Sequence, residues 1–144
     1  MKANTYEYPK SSFLGMTKDT ALIMNKILSN KAVLRLLYYN TPDCLNPEKK
    51  PDLSSDQIKE MFRENQISII PQVTVDKEKK SYLRVGFNNF TRSATNDFYR
   101  DHIVEIRIIC HFDTWTLEDM DLRPYRIAGE IDSMLDGARL SGIG

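Results

Sequence analysis

Hydrophobic and polar residues alternate most regularly over residues 102–112. The positions on one face of this segment are apolar: Val104, Ile106, Ile108, Cys110 and Phe112. The other face mixes charged residues with isoleucines, in the order Ile103, Glu105, Arg107, Ile109 and His111. Period-two alternation of this length predicts a half-buried strand. Because the polar face also contains isoleucines, we expect another element or a partner subunit to cover it.

A helical spacing of apolar residues predicts helices in the first half of the chain. Thr17 is placed to cap the first helix, and Asn30 interrupts the pattern before it resumes. Ser54 and Gln57 have the spacing of a capping box, in which each side chain satisfies a backbone amide at a helix start. The pattern therefore predicts one long helix or two short ones, followed by a helix over residues 55–65.

The last helix is predicted from a proline, an apolar stripe and a glycine. Asp121 is a candidate N-cap, Pro124 fits the first turn, and Gly137 is placed to end the helix. The apolar residues between them recur at helical spacing, so we expect this helix to lie across a sheet.

Two runs of branched and aromatic residues predict a β-hairpin in the middle of the chain. They cover residues 67–75 and 81–87, and a short charged connector joins them. Pro71 indicates that the first run is an edge strand or bulges there. Together the elements predict an α+β fold in which a small antiparallel sheet packs against two to four helices.

The chain length of 144 residues fits one compact domain with a single core, so we expect residues 1–144 to form one domain. Three segments without a periodic pattern are predicted to be irregular. They are a flexible N-terminal arm over residues 1–12, a proline-rich loop over residues 40–53 and a polar and aromatic loop over residues 88–100.

The charges are balanced, with 20 lysines and arginines against 20 aspartates and glutamates. Such a balance gives no overall attraction to nucleic acid or to an anionic membrane. No apolar run approaches the roughly 20 residues that span a bilayer, and the N-terminus lacks the apolar core of a signal peptide. We therefore expect a protein made in the cytosol that does not bind membranes.

Candidate catalytic and metal-binding groups are few. Cys44, His102, Cys110 and His111 lack the short spacing of a zinc site. No nucleophile, base and orienting acid line up as in hydrolases, and no glycine-rich phosphate loop occurs. We therefore expect no catalytic residue, no metal, no cofactor and no enzymatic activity.

Aromatic residues are the best candidates for contacts between subunits, since buried aromatic side chains tend to anchor interfaces. The candidates are Tyr6, Tyr8, Phe90, Phe98, Tyr99 and Trp115. We add the mixed strand face, represented by Glu105, Arg107, Ile109 and His111. The alternative is that at least half of the aromatic residues fill the core of the monomer.

The order of these elements resembles the small neck proteins of tailed bacteriophages, and among them the tail-terminator or tail-completion proteins. The resemblance rests on the strand His-Ile-Val-Glu-Ile-Arg-Ile-Ile-Cys-His-Phe and on the helix Leu-Arg-Pro-Tyr-Arg-Ile-Ala-Gly-Glu-Ile-Asp-Ser-Met-Leu-Asp-Gly, residues 102–112 and 122–137. It covers roughly the last half of the chain. One departure is that such proteins continue into a closing strand where this sequence stops at Gly144, so that strand is absent or the sequence is truncated.

The resemblance implies a subunit of a ring, commonly of six copies, that caps the tail tube and joins it to the head connector. The implied partners are further copies of the chain, the tail tube protein and a head-completion or connector protein. DNA would pass through the lumen without specific binding. The protein would assemble in the host cytoplasm and reside in the tail or neck of the virion.

Other classes of function stay open. A head-completion adaptor or stopper bound to the portal would use the same kind of surface, and so would a small non-viral binding module. A small enzyme or a nucleic-acid-binding regulator would instead need a concave site lined by Glu105, Arg107 and His111. These residues should converge in a pocket in an enzyme and lie at a subunit boundary in a ring protein.

Overall fold

The computed structural model describes residues 12–69, 78–92, 94–95 and 100–137. Over these residues it contains four α-helices, three strands and one 3-10 turn. In chain order they are α1 (Ser12–Leu28), α2 (Lys31–Tyr38), α3 (Ser55–Arg63), β1 (Ile67–Ser68), β2 (Ser81–Arg92), β3 (Arg100–Cys110), the 3-10 turn (Phe112–Thr114) and α4 (Arg123–Leu135). The strands form one sheet in the order β1-β2-β3. The predicted α+β class is confirmed.

The longest pairing in the sheet is the antiparallel β2–β3 hairpin. It extends from Ser81 opposite Cys110 to Arg92 opposite Arg100, with a shift of register between Asn88 and Thr91. The predicted loop over residues 88–100 is therefore too long, because both strands extend into it. The polar side chains of this segment did not indicate strands. A strand ladder is formed by backbone hydrogen bonds, which polar side chains do not prevent.

Strand β1 runs parallel to β2, with Ile67 opposite Leu83. The predicted hairpin between residues 67–75 and 81–87 is therefore wrong at its first residues, since a tight hairpin joins antiparallel strands only. The sheet is mixed rather than purely antiparallel. Residues 70–75 of the predicted strand lie outside the described residues.

The core lies between the inner face of the sheet and helices α1, α2 and α4. Its buried apolar residues include Ile23, Ile27, Val33, Leu36, Leu37, Leu83, Val85, Ile127 and Ile131. The inward residues of β3 pack against it, namely Val104, Ile106, Ile108 and Cys110. This confirms the predicted apolar face up to Cys110. Phe112 is the exception, because the strand ends before it and its side chain is 75% exposed.

Two helix starts lie where the local sequence pattern indicated them. Asn30 separates α1 from α2 and caps α2, since its side-chain oxygen accepts from the amides of Ala32 and Val33 at 2.8 and 3.2 Å. Ser54 and Gln57 form the predicted capping box at the start of α3. Turns but no helix or strand lie between α2 and α3.

Two predicted caps are wrong. Thr17 lies inside α1, because that helix begins at Ser12. The N-cap of α4 is Leu122, which makes no side-chain capping bond. Asp121 accepts instead from the Leu122 amide at 2.8 Å. Gly137 follows the last helix with a φ of 65°, a left-handed conformation that glycine adopts readily.

One buried arginine ties the helical layer together. Arg123, at the start of α4, has no solvent-exposed surface. Its guanidinium donates to four backbone carbonyls, those of Leu36 and Tyr39 at 2.5 and 2.8 Å, Thr41 at 2.9 Å and Thr114 at 2.6 Å. Carbonyls at the C-terminal end of a helix carry partial negative charge. The arginine therefore joins the start of α4 to the end of α2.

Candidate interaction surface

The outward side of the β2–β3 hairpin contains most of the described residues that were predicted to form an interface. Residues opposite each other in the register point to the same side of a sheet, so both strands contribute to this side. We call it the outer face. It is formed by Tyr82, Arg84, Gly86 and Asn88 from β2, and by Ile103, Glu105, Arg107, Ile109 and His111 from β3 and the residue after it.

An ion pair with two hydrogen bonds lies near the middle of the outer face. Arg107 donates from Nε and Nη2 to the carboxylate of Glu105 at 2.5 and 3.2 Å. Asn88 donates to the same carboxylate at 3.1 Å. The hydrogen bond from Arg107 lowers the pKa of Glu105 below its usual range. The charges of these two residues therefore neutralise each other within the face.

Arg84 lies opposite Arg107 and contributes a second positive charge. It is only 6% exposed, and its Nη1 donates to the carbonyls of Gln66 and Leu83, both at 3.2 Å. Its Nε is buried and has no hydrogen-bond partner among the described residues. Burial lowers the pKa of this guanidinium. Within the described part of the chain, no carboxylate pairs with it.

Gly86 leaves a notch in the outer face. It lies between Arg84 and Asn88 along β2, opposite Glu105, and a Cβ built on it would meet nothing within 4 Å. Glycine inside a strand weakens it and often marks a place where another chain approaches closely. Open space is therefore available at the centre of this face.

The isoleucines lie on either side of the charged pair. Ile103 is 58% exposed, whereas Ile109 is half-buried opposite Tyr82. The structure therefore places an exposed apolar side chain beside the notch, since Ile103 is opposite Asn88. Covering an exposed isoleucine of this kind with a partner stabilises the complex, because apolar surface is removed from water.

Glu105, Arg107 and His111 do not converge on a concave site. His111 lies four residues beyond Arg107, a distance of ~13 Å along a strand. Its Nδ1 accepts from the Asp113 amide at 3.3 Å, and its ring stacks on Phe112 with centroids 4.6 Å apart. The Glu105–Arg107 pair is held apart from it, so these three side chains form a surface and not a pocket.

The aromatic candidates are distributed differently. Trp115 follows the 3-10 turn, is 38% exposed and donates from Nε1 to the Cys110 carbonyl at 3.0 Å. Phe90 lies within β2. The other four candidates lie outside the described residues: Tyr6, Tyr8, Phe98 and Tyr99.

A comparison with protein-family models matches residues 30–144 to a family described as YomW. The chain belongs to the YomW family. This family comprises gene products of the Bacillus phage SPBc2 type, which makes the protein phage-associated. No curated protein and no solved structure matches the chain.

Two further observations concern binding sites in this YomW-family chain. In the described ranges, no group of three or more histidine, cysteine, aspartate or glutamate side chains is placed to hold a metal ion. None of the helices that the structure describes is long and apolar enough to cross a membrane.

A second exposed feature, which no sequence pattern predicted, is a turn at residues 117–121 between β3 and α4. We call it the Met120 turn. Thr116 and Leu122 form a β-bridge at its base, and the Met120 amide donates to the Leu117 carbonyl at 3.1 Å. Met120 has a φ of 61° and is 88% exposed. A left-handed conformation costs a residue with a Cβ roughly 1 kcal/mol, so glycine or asparagine would be expected here.

The Met120 turn is acidic. Glu118 pairs with Lys49 at 3.2 Å, and Asp121 pairs with Arg126 at 3.5 Å. Asp119 is exposed and makes no ion pair with any described residue. A cleft of about 280 Å³ adjoins the turn, lined by Pro42, Asp43, Leu45, Asn46, Leu117, Glu118 and Asp119. No residue of the outer face lines it.

Proposed function

We propose that this phage-associated protein is a structural component of the virion neck, a tail terminator. Its copies would form a ring that caps the tail tube and joins it to the head connector. The single observation that carries the proposal is the outer face, a sheet surface whose exposed isoleucine, glycine notch and internally paired charges suit contact with another protein.

The energetics of the outer face favour an interface over a catalytic site. Covering Ile103 would remove apolar surface from water, and full burial of such a side chain is worth about 1.5 to 3 kcal/mol. Glu105 and Arg107 are bonded to each other, so a partner that covers them does not bury an isolated charge. Protein interfaces bury apolar side chains together with paired polar groups, which is the combination that this face offers.

The charge balance of the chain also supports a role around DNA that does not depend on binding it. Equal numbers of basic and acidic residues give no general attraction to phosphates, whose binding depends on clustered lysines and arginines. A ring through which DNA passes must not hold it strongly.

The test is the mass of the purified protein by light scattering over a range of concentrations and at two salt levels. We expect a closed species near six copies. In parallel, purified tail tubes of the encoding phage are mixed with the protein and imaged, and we expect density at the tube ends. A protein that stays monomeric and leaves the tube ends bare would overturn the proposal.

A further inference from the structure

We propose that the Met120 turn of one copy docks on the outer face of the next copy. In this contact Met120 covers the Gly86 notch beside Ile103, and Asp119 pairs with Arg107. The inference rests on the proposed ring function, because it names the surfaces by which copies would join.

Met120 is placed where an exposed apolar side chain is unusual. Its side chain is 88% exposed and its backbone adopts a conformation that methionine disfavours. Packing within the chain therefore does not account for methionine at this position, and glycine would be the less strained choice. A long, adaptable apolar side chain held outward at the tip of a turn suits insertion into a partner surface.

The outer face and the Met120 turn carry charges of opposite sign. Among the described residues, the outer face holds two guanidinium groups and one carboxylate, so it carries one positive charge in excess. The Met120 turn holds Asp119, which has no cationic partner in the described residues. Arg107 is the accessible guanidinium, with 52% of its side chain exposed. The excess charge of the turn is therefore opposite in sign to that of the outer face, and Asp119 would share Arg107 with Glu105.

The spacing of Asp119 and Met120 on the turn is compatible with the spacing of Arg107 and Gly86 on the outer face. Asp119 and Met120 are consecutive, so their Cα atoms lie about 3.8 Å apart and their side chains diverge from there. Gly86 and Arg107 are diagonal neighbours across β2 and β3, at about 7 to 8 Å. One turn can therefore place its methionine over the notch while its aspartate reaches the arginine.

The two surfaces are separate parts of one chain, since they share no residue and no outer-face residue lines the cleft beside the turn. The Met120 turn is held on the helical side, where the Glu118 amide donates to the Pro42 carbonyl at 3.1 Å. The outer face points away from the helices. A contact between unlike surfaces of identical chains repeats head to tail, and it closes into a ring when the rotation allows.

The first experiment replaces Met120 by glycine. Relief of the left-handed strain should raise the thermal midpoint of the monomer by about 2 to 5 °C. Loss of the side chain should weaken self-association at least tenfold by light scattering. Tyr125→Ala is the matched control, because Tyr125 is 68% exposed on α4 and lies outside both surfaces. Association of M120G at the wild-type strength would overturn the inference.

The second experiment exchanges charges between copies. Asp119→Arg and Arg107→Glu should each abolish assembly, because every contact in either sample then joins like charges. An equimolar mixture should assemble again, since each variant's turn meets the other variant's outer face with opposite charge. Failure of the mixture to assemble would overturn the inference.

The outcomes separate the two proposals. If both the wild-type protein and the variants form rings, the proposed neck function stands and the proposed Met120 contact is wrong. If the wild-type protein neither assembles nor binds tube ends, the proposed function itself is wrong.

Discussion

Two arginines on opposite sides of the sheet are buried to a similar degree but are held in different ways. Arg123, among the helices, donates to four backbone carbonyls and joins three segments of chain. Arg84, on the outer face, donates to two carbonyls from one nitrogen, and no described residue accepts a hydrogen bond from its Nε. One guanidinium is part of a complete network, and the other is not.

The difference follows from what surrounds each charge. A buried cation is stable when polar groups replace the water it has lost. The end of α2 supplies such groups to Arg123, because its last carbonyls have no partner within the helix. Among the described residues, Arg84 has the carbonyls of Leu83 and Gln66 and the ring of Tyr82, whose centroid lies 5.4 Å from the guanidinium carbon. The hydrogen-bonding groups of Arg123 are therefore satisfied by the fold, whereas those of Arg84 are satisfied only in part.

The largest change in the free energy of unfolding should come from removing the hydrogen bonds of Arg123. Arg123→Met leaves four carbonyls without their donor, and we expect it to lower the free energy of unfolding by about 3 to 5 kcal/mol. Urea unfolding followed by circular dichroism measures this change. Arg126→Met is the matched control on the same helix, because Arg126 is partly exposed and its loss should cost less than about 1 kcal/mol. An equal decrease in the free energy of unfolding for the two variants would contradict the special role assigned to Arg123.

A neighbouring pair of isoleucines tests the two faces of β3 directly. Ile108→Asp places a carboxylate against the core and should cost at least about 3 kcal/mol. Ile109→Asp, one residue later on the outer face, should leave a folded protein that no longer assembles. Circular dichroism reports folding and light scattering reports mass. If Ile109→Asp simply unfolds, the outer face belongs to the core and is not an interaction surface.

The smallest effect concerns the ion pair on the outer face. Because Arg107 lowers the folded-state pKa of Glu105, this pair stabilises the fold above the ordinary glutamate pKa. That contribution is lost as the pH falls through the lowered value. Carboxyl titration by NMR should show the pKa of Glu105 rising toward its ordinary value in Arg107→Met. An unchanged titration would mean that Arg107 does not contact Glu105 in solution.

Sequence reasoning succeeded where one local pattern decides the structure. The alternation along β3 predicted its inner face, the spacing of Ser54 and Gln57 predicted a helix start, and Gly137 predicted a helix end. Each of these signals depends on residues close together in the chain.

Sequence reasoning failed where distant segments decide the structure. The branched residues after α3 indicated a strand but not its direction, so the parallel pairing of Ile67 with Leu83 was missed. Arg123 looked like an ordinary helix residue, because its carbonyl partners come from other elements. Met120 gave no signal either, since a left-handed residue is predicted from glycine or asparagine and not from methionine.

Arg123 also bears on how the chain reaches its native state. The carbonyls of Leu36, Tyr39 and Thr41 precede it by 87, 84 and 82 residues. Contacts of such long range form late, because the intervening chain must first be ordered. A chain still emerging from the ribosome would hold the end of α2 open to water until α4 is made. We expect the helical layer to become stable only in a final, cooperative step.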